Sequence, residues 1–389
     1  MYEILRLKYY KLIIILLIDF LILLWHNHYL SISIYEIQEL NNNTFNAYFA
    51  NLALKIFGAN YIRLAYIILH IISNILLFKI SQIYLKDNAI IANIIFNLCP
   101  SALASALLIN PAGIIIFIIL LMTYLELKKS KITFYIVLII SVFIDKAMIS
   151  FYLACIFYAY FKRWNNLFFL SFILFFVSLL INGYDFSGRP RGYFLEILTI
   201  CAAAFSPPLF LYFFYTIYYT TFKGKKDLLY FCSATSFIIY LVLSFRQKPD
   251  SPEFLPFLIV SIPLIIQNFL NSYKVHLPQF RKKHKLIMWF ILISLIISYI
   301  FVIFNPFFYK FIETNEHFAN KYHLSKELAK ELKNNQIYEL SSKSTNFNTL
   351  NFYGIKQCRK NCKILKPCKK GNFKINFFFQ QFNYCLKNE

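Results

Sequence analysis

Residues 244–263 read SFRQKPDSPEFLPFLIVSIP, and the fold turns on what surrounds the charges in that stretch. An apolar run stops at Phe245, the charged residues Arg246, Lys248, Asp250 and Glu253 follow, and a second apolar run starts at Phe254. A helix needs about 20 apolar residues to cross a bilayer. The stretch therefore reads as a short polar loop between two membrane spans, with Leu255-Pro256 opening the second.

The rest of the chain agrees. It has 389 residues, of which 59% are hydrophobic and 15% charged, and a mean hydropathy of +0.55. Apolar runs recur throughout, which excludes a soluble domain and indicates an all-α polytopic membrane protein. The formal charge of +22 is spread between apolar runs and along the tail, with no nucleic-acid module. Membrane topology and anionic lipid account for it better than nucleic acid does. Lys and Asn abundance with few Gly resembles translation of an AT-rich bacterial genome.

A basic flank, MYEILRLKYYK, precedes LIIILLIDFLILLW without a small-residue cleavage site. It reads as an uncleaved signal anchor with its N-terminus in the cytoplasm. Asp19 within it is expected to pair with a neighbouring helix or to sit near a polar cavity. Later runs fall near Ile62–Leu85, Ala89–Leu108, Ala112–Leu127, Ile132–Ile144, Met148–Phe161, Leu167–Ile181, Tyr193–Phe222, Leu228–Phe245, Phe254–Asn271 and Leu286–Asn305. This gives about eleven spans. The two short runs flanking Asp145-Lys146 are alternatively one broken helix, but merging them would scramble the charge alternation. Kept apart, they put Lys128, Lys129 and Lys131, Lys162 and Arg163, Lys223 to Lys226, and Lys274 to Lys285 on one face, the cytoplasmic one by the positive-inside rule. The loop 246–253 then lies on the outer face of a bacterial inner membrane. So do the loop 26–61, Asn110-Pro111, Asp145-Lys146, 183–192 and the tail.

Arginine and lysine in short outer loops run against that bias, and an anionic ligand would explain Arg189, Arg191, Arg246 and Lys248. The plainer alternative pairs them with Asp185, Asp250 and Glu253. Asp145-Lys146 is either a self-paired surface ion pair or a cation offered to a surface phosphate. In the outer loop 26–61, Glu36 and Glu39 share a face if helical, and Phe45–Phe57 has the spacing of an interfacial amphipathic helix. His26 and His28 with Glu36 are a weak metal candidate, an exposed H-x-H being commonly interfacial. Ser206-Pro207-Pro208 is a kink or a broken helix inside a long run.

The chain divides into a transmembrane module, 1–305, and a small extracytoplasmic α/β domain, 306–389. In the latter, SKELAKELKNN is a helix capped by Ser325, IYEL a strand and NFYGI a turn. Cys358, Cys362, Cys368 and Cys385 point to two disulfides in one of three connectivities, in preference to zinc.

Several segments, in order, resemble the GT-C membrane glycosyltransferases, and more narrowly the branch of protein O-mannosyltransferases and lipid A aminoarabinose transferase. KIFGANYIRLAYIILHIISNILLFKIS resembles the family's segment entering the second span. CPSALASALLINPAGIIIF resembles its Pro-to-Asp segment, with Asn110 where Asp is usual, and FIDKAMISFYLA its Gly-x-x-x-x-Lys segment, with Lys146 as the Lys and Ser141 in place of the Gly. SFRQKPDSPEFLPFLIVSIPL resembles its basic outer-loop motif, and AKELKNNQIYEL and LNFYGI its tail domain.

The resemblance implies an inverting glycosyltransferase moving a sugar from a polyprenyl-phosphate donor to a hydroxyl of lipid A, a surface glycan or a protein, with no cofactor required by the sequence. It implies Glu36 or Glu39 as catalytic base, although the family's Asp-Glu pair is absent. Arg246 and Lys248, helped by Lys146 or Arg63, are implied as donor-phosphate ligands. Asn110, Asp185, Arg189 and Arg191 are further candidate contacts to donor or acceptor. The competing classes are a transporter or lipid flippase and a non-catalytic relative.

Overall fold

Apolar runs take up helix in this chain because a lipid-facing backbone must satisfy its own hydrogen bonds. The computed structural model describes residues 2–183, 192–311, 317–358, 362–368, 373–378 and 380–388. By length and composition, five helices among them are able to cross a membrane: Tyr9–Tyr29, Leu64–Leu98, Asn165–Asn182, Ser251–Val275 and Pro278–Ile303. Two bent pairs, Pro100–Leu107 with Ala112–Leu127 (113°) and Phe194–Phe205 with Pro207–Phe222 (105°), raise the number to seven if each is one span. Lys131–Phe143, Met148–Lys162 and Leu228–Ser244 are apolar but shorter.

A count of about eleven spans is therefore not confirmed among the described residues. The runs either side of Asp145-Lys146 fall short of the about 20 residues a straight crossing needs, and Leu64–Leu98 joins the run 62–85 to the first part of 89–108. The fold class holds at the coarser level, a helical membrane protein with a small sheet region near its C-terminus.

The chain forms two compact units, residues 1–23, 44–46 and 65–299, and residues 24–43, 47–64 and 300–389. Most of the loop 26–61 belongs to the second unit.

In the first unit the helices differ sharply in burial. Ser251–Val275, which the opening stretch begins, buries 78% of its apolar segment, whereas Pro278–Ile303 buries 17%. Large apolar side chains exposed on the outer helices, such as Leu180, Leu195 and Leu286, suit a lipid solvent. The central helix starts with Pro252 in its first turn, where a missing N–H costs nothing. The Phe254 ring stacks on Tyr240 at 4.9 Å. Gly113 allows one tight approach: a Cβ there would stand 2.8 Å from the Ser105 carbonyl oxygen. The run 194–222 breaks at Ser206, with φ of +107° and a bend too large for a simple proline kink.

Asp19 finds the expected helix partner. Its Oδ2 lies 3.3 Å from His70 Nε2, both side chains being buried. The same His70 nitrogen is 3.1 Å from Asn74 Nδ2, and Asn93 Nδ2 donates to the Asn74 carbonyl at 2.8 Å.

In the second unit, strands β1 (Glu339–Leu340) and β2 (Lys356–Gln357) pair in parallel. Strands β3 (Lys363–Pro367), β4 (Phe373–Phe377) and β5 (Gln380–Asn388) form an antiparallel sheet in the order β3-β5-β4. The helix Ser325–Asn334 packs Leu328 and Leu332 into a core with Tyr309, Leu340, Leu350, Leu365 and Phe377.

Ser325 does not cap that helix. The N-cap is Leu324, at φ +72°, and the Ser325 hydroxyl instead accepts from Thr349 at 2.9 Å. The stretch expected as a turn, 351–355, follows the last two residues of the helix Phe347–Phe352 with a turn at Tyr353 and Gly354, the glycine at φ +92°. The cysteines pair as Cys358–Cys362 and Cys368–Cys385.

Candidate functional site

The candidate residues fall into two clusters, one in each unit. In the first unit, Arg246 and Lys248 follow the end of the helix Leu228–Ser244, and Asp250 and Glu253 stand at the start of the central helix. Lys146 lies in the turn before Met148–Lys162. Its Nζ is 2.7 Å from Glu253 Oε1 and 3.7 Å from Asp250 Oδ2. Burial opposes the lysine's charge, but Glu253, Asp250 and Asp145 outweigh it, and its pKa stands above the ordinary lysine value.

Asp145 Oδ1 accepts the Ala147 amide at 2.8 Å. Lys146 is tied to the acids Glu253 and Asp250.

Lys248 pairs with Glu196, on the first turn of Phe194–Phe205, and both side chains are about half exposed. That acid was not singled out from the sequence, although an acidic residue at the start of a span was visible there. Arg246 is exposed and has no side-chain partner among the described residues. It is thus the cation that an incoming anion meets without displacing a carboxylate. Lys248 exchanges cheaply, since a solvent-exposed pair contributes only about 0–1 kcal/mol. Lys146 does not, because Glu253 is 11% exposed and would be left buried and unpaired.

Asn110 serves its own turn, its Oδ1 accepting the Ala112 amide at 3.0 Å. Asp185, Arg189 and Arg191 lie outside the described residues.

In the second unit, Ser33 and Glu36 form a capping box on the helix Ile34–Asn41. Arg63 Nη2 lies 2.7 Å from Glu36 Oε2 and 2.9 Å from Oε1, each side chain only 3% exposed. The guanidinium also donates to the Leu30 and Ser31 carbonyls. The Glu36 carboxylate is further engaged by the amide and hydroxyl of Ser33.

Both groups are therefore committed to each other and to the loop backbone. The Arg63 guanidinium thereby anchors the loop, and the Glu36 carboxylate is held by it and by Ser33. Glu39, one turn on, is less buried.

Segments near the C-terminus hold this loop from the other side. The Ser31 amide donates to the Tyr322 carbonyl at 2.7 Å, the Ile32 amide to the Tyr353 hydroxyl at 2.9 Å, and the Lys326 amide to Ser31 Oγ at 3.0 Å. Burial raises the Tyr322 and Tyr353 hydroxyl pKa values and lowers that of Lys326. Burial, with the neighbouring His317, His26 and Arg63, pushes His323 down to about 3. None of these tail contacts was legible beforehand, because nothing local in the sequence links residues about 300 positions apart.

His26 is buried and His28 exposed, as positions i and i+2 of a helix must point apart. No group of three or more His, Cys, Asp or Glu side chains gathers for a metal among the described residues. No protein family and no curated protein matches this chain.

Proposed function

We propose that the chain is a membrane glycosyltransferase that moves a sugar from a polyprenyl-phosphate donor to an acceptor hydroxyl at the outer face of the inner membrane. The observation that carries this reading is the exposed Arg246 guanidinium, which has no side-chain partner among the described residues and is flanked by Lys248 in an easily exchanged surface pair. The ordered run of GT-C-like segments supports it.

In this reaction the acceptor oxygen attacks the anomeric carbon as the bond from that carbon to the phosphate oxygen breaks. The electron pair leaves with the polyprenyl phosphate, and the acceptor's proton passes to a carboxylate. Arg246 and Lys248 stabilise the charge that grows on the departing phosphate. Displacement in one step inverts the anomeric configuration.

The test is incubation of the purified chain in liposomes with polyprenyl-phosphate sugar and candidate acceptors, lipid A, glycan and peptide. Transfer that falls in Arg246→Gln supports the proposal, and absence of transfer to any acceptor counts against it.

The broken run at Ser206 favours a second reading, a transporter or lipid flippase. Interrupted helices line substrate sites in such proteins, and the Ser206 hydroxyl is buried with no hydrogen-bond partner. Lipid movement across the bilayer without sugar transfer, in the same liposomes, would select it.

A further inference from the structure

A second basic site lies in the first unit, away from every residue used above. The helix Ala112–Leu127 ends in a turn where Lys129 takes φ of +57° and the Ser130 amide donates to the Leu125 carbonyl at 3.0 Å. The helix Met148–Lys162 ends in a similar turn, with Arg163 at φ +57°. Between these turns and the helix Lys131–Ile140 is a cavity of about 430 Å³.

Its polar lining is cationic. Lys129, Lys131 and Lys162 face it against a single carboxylate, Glu126, which accepts a hydrogen bond from the Tyr158 hydroxyl. Two of the ammonium groups are held over rings, Lys131 at 5.8 Å from Trp164 and Lys162 at 6.0 Å from Tyr158. The Lys129 ammonium has no hydrogen bond or ion pair among the described residues.

The remaining wall is apolar, from Leu125, Phe134 and Leu167. Beside it the helix Lys131–Ile140 exposes Ile132 and Ile136. Cations over an apolar wall at a helix end suit a ligand with a phosphate head and a hydrocarbon tail.

We propose that this cavity binds the phosphate head group of an anionic phospholipid, with Lys129, Lys131 and Lys162 as its ligands and the acyl chains lying along the exposed face of Lys131–Ile140. The apolar wall and that isoleucine face favour a membrane lipid over a soluble phosphate compound. The site is independent of the proposed transfer reaction and stands or falls without it.

Native mass spectrometry of the full chain in detergent, titrated with dioctanoyl phosphatidylglycerol, dioctanoyl phosphatidylcholine or inorganic phosphate, tests this. Retention of phosphatidylglycerol over phosphatidylcholine is expected, with millimolar phosphate displacing none. Each lysine near an anionic surface contributes about a fivefold factor. Lys129→Gln should therefore weaken retention about fivefold, and Lys129→Gln/Lys131→Gln/Lys162→Gln about a hundredfold.

Unchanged retention in the triple variant overturns the proposal. So does an equal loss in Lys282→Gln/Lys283→Gln/Lys285→Gln, whose exposed lysines lie outside the cavity. Binding of inorganic phosphate without phosphatidylglycerol overturns the lipid as its source. If the triple variant fails to fold, Lys129→Gln decides alone, since that ammonium makes no hydrogen bond or ion pair among the described residues.

Discussion

Glu36 and Arg63, 27 residues apart, meet at 2.7 Å with each side chain 3% exposed. The acid that spacing and resemblance nominate as a proton acceptor thereby helps anchor the loop 26–61. Its carboxylate closes the first turn of its own helix, while its arginine holds the Leu30 and Ser31 carbonyls.

Breaking this pair should cost stability before it costs chemistry. Glu36→Gln leaves the Arg63 charge buried, a change worth about 3–5 kcal/mol, and should lower the melting temperature in detergent. Glu36→Gln/Arg63→Met should recover much of the loss. A variant Glu36→Gln that melts like the wild type but has no transferase activity would return Glu36 to the role of base.

Arg246 and Lys146 should separate in the opposite sense. Arg246→Gln removes an exposed cation with no side-chain partner among the described residues, so stability should stay within about 0.5 kcal/mol. Donor turnover should fall about ten- to a hundredfold, matching about 1.5–3 kcal/mol for a charged hydrogen bond. Lys146→Gln leaves Glu253 without its ion-pair partner and should lower the melting temperature as well. Equal kcat/KM in Arg246→Gln and wild type, measured with polyprenyl-phosphate sugar, removes the phosphate clamp.

His323 should make the second unit acid-sensitive. Its folded pKa is depressed from 6.5 to about 3. Between those values the unfolded chain therefore binds a proton that the folded chain does not. The stabilisation is complete above about pH 6.5 and falls by about 1.4 kcal/mol per pH unit on acidification, until pH 3. His323→Phe should flatten that slope in thermal melts taken from pH 7 to pH 4, and an unchanged slope would assign the acid sensitivity elsewhere.

The two disulfides should contribute unequally. Cys368–Cys385 spans 17 residues and Cys358–Cys362 spans 4, and a longer closed loop removes more entropy from the unfolded chain. Cys368→Ala/Cys385→Ala should cost about 3 kcal/mol and Cys358→Ala/Cys362→Ala less, as read by denaturant unfolding of the whole chain. The reverse order would show that loop closure is not what sets their value.

Local pattern carried a large part of this architecture. Apolar runs gave the helical membrane class, the spacing of Phe45–Phe57 gave a helix with those bounds, and the clustered cysteines gave two disulfides without their connectivity. Such features depend on residues close together in the chain, or on the solvent around them. The count of spans went further than pattern allows, because a run of 13 to 15 apolar residues reads alike whether it crosses a bilayer or only packs within the protein.

Pairing was decided by tertiary structure. The sequence offered Lys146, Arg246 and Lys248 as like cations beside interchangeable acids. Only packing brought Lys146 to Glu253 and Lys248 to Glu196, leaving Arg246 exposed without a side-chain partner among the described residues. Charge count is a property of the chain, but neutralisation depends on distances of a few ångströms between distant segments. Those distances distinguish a cation held in the scaffold from one open to a ligand.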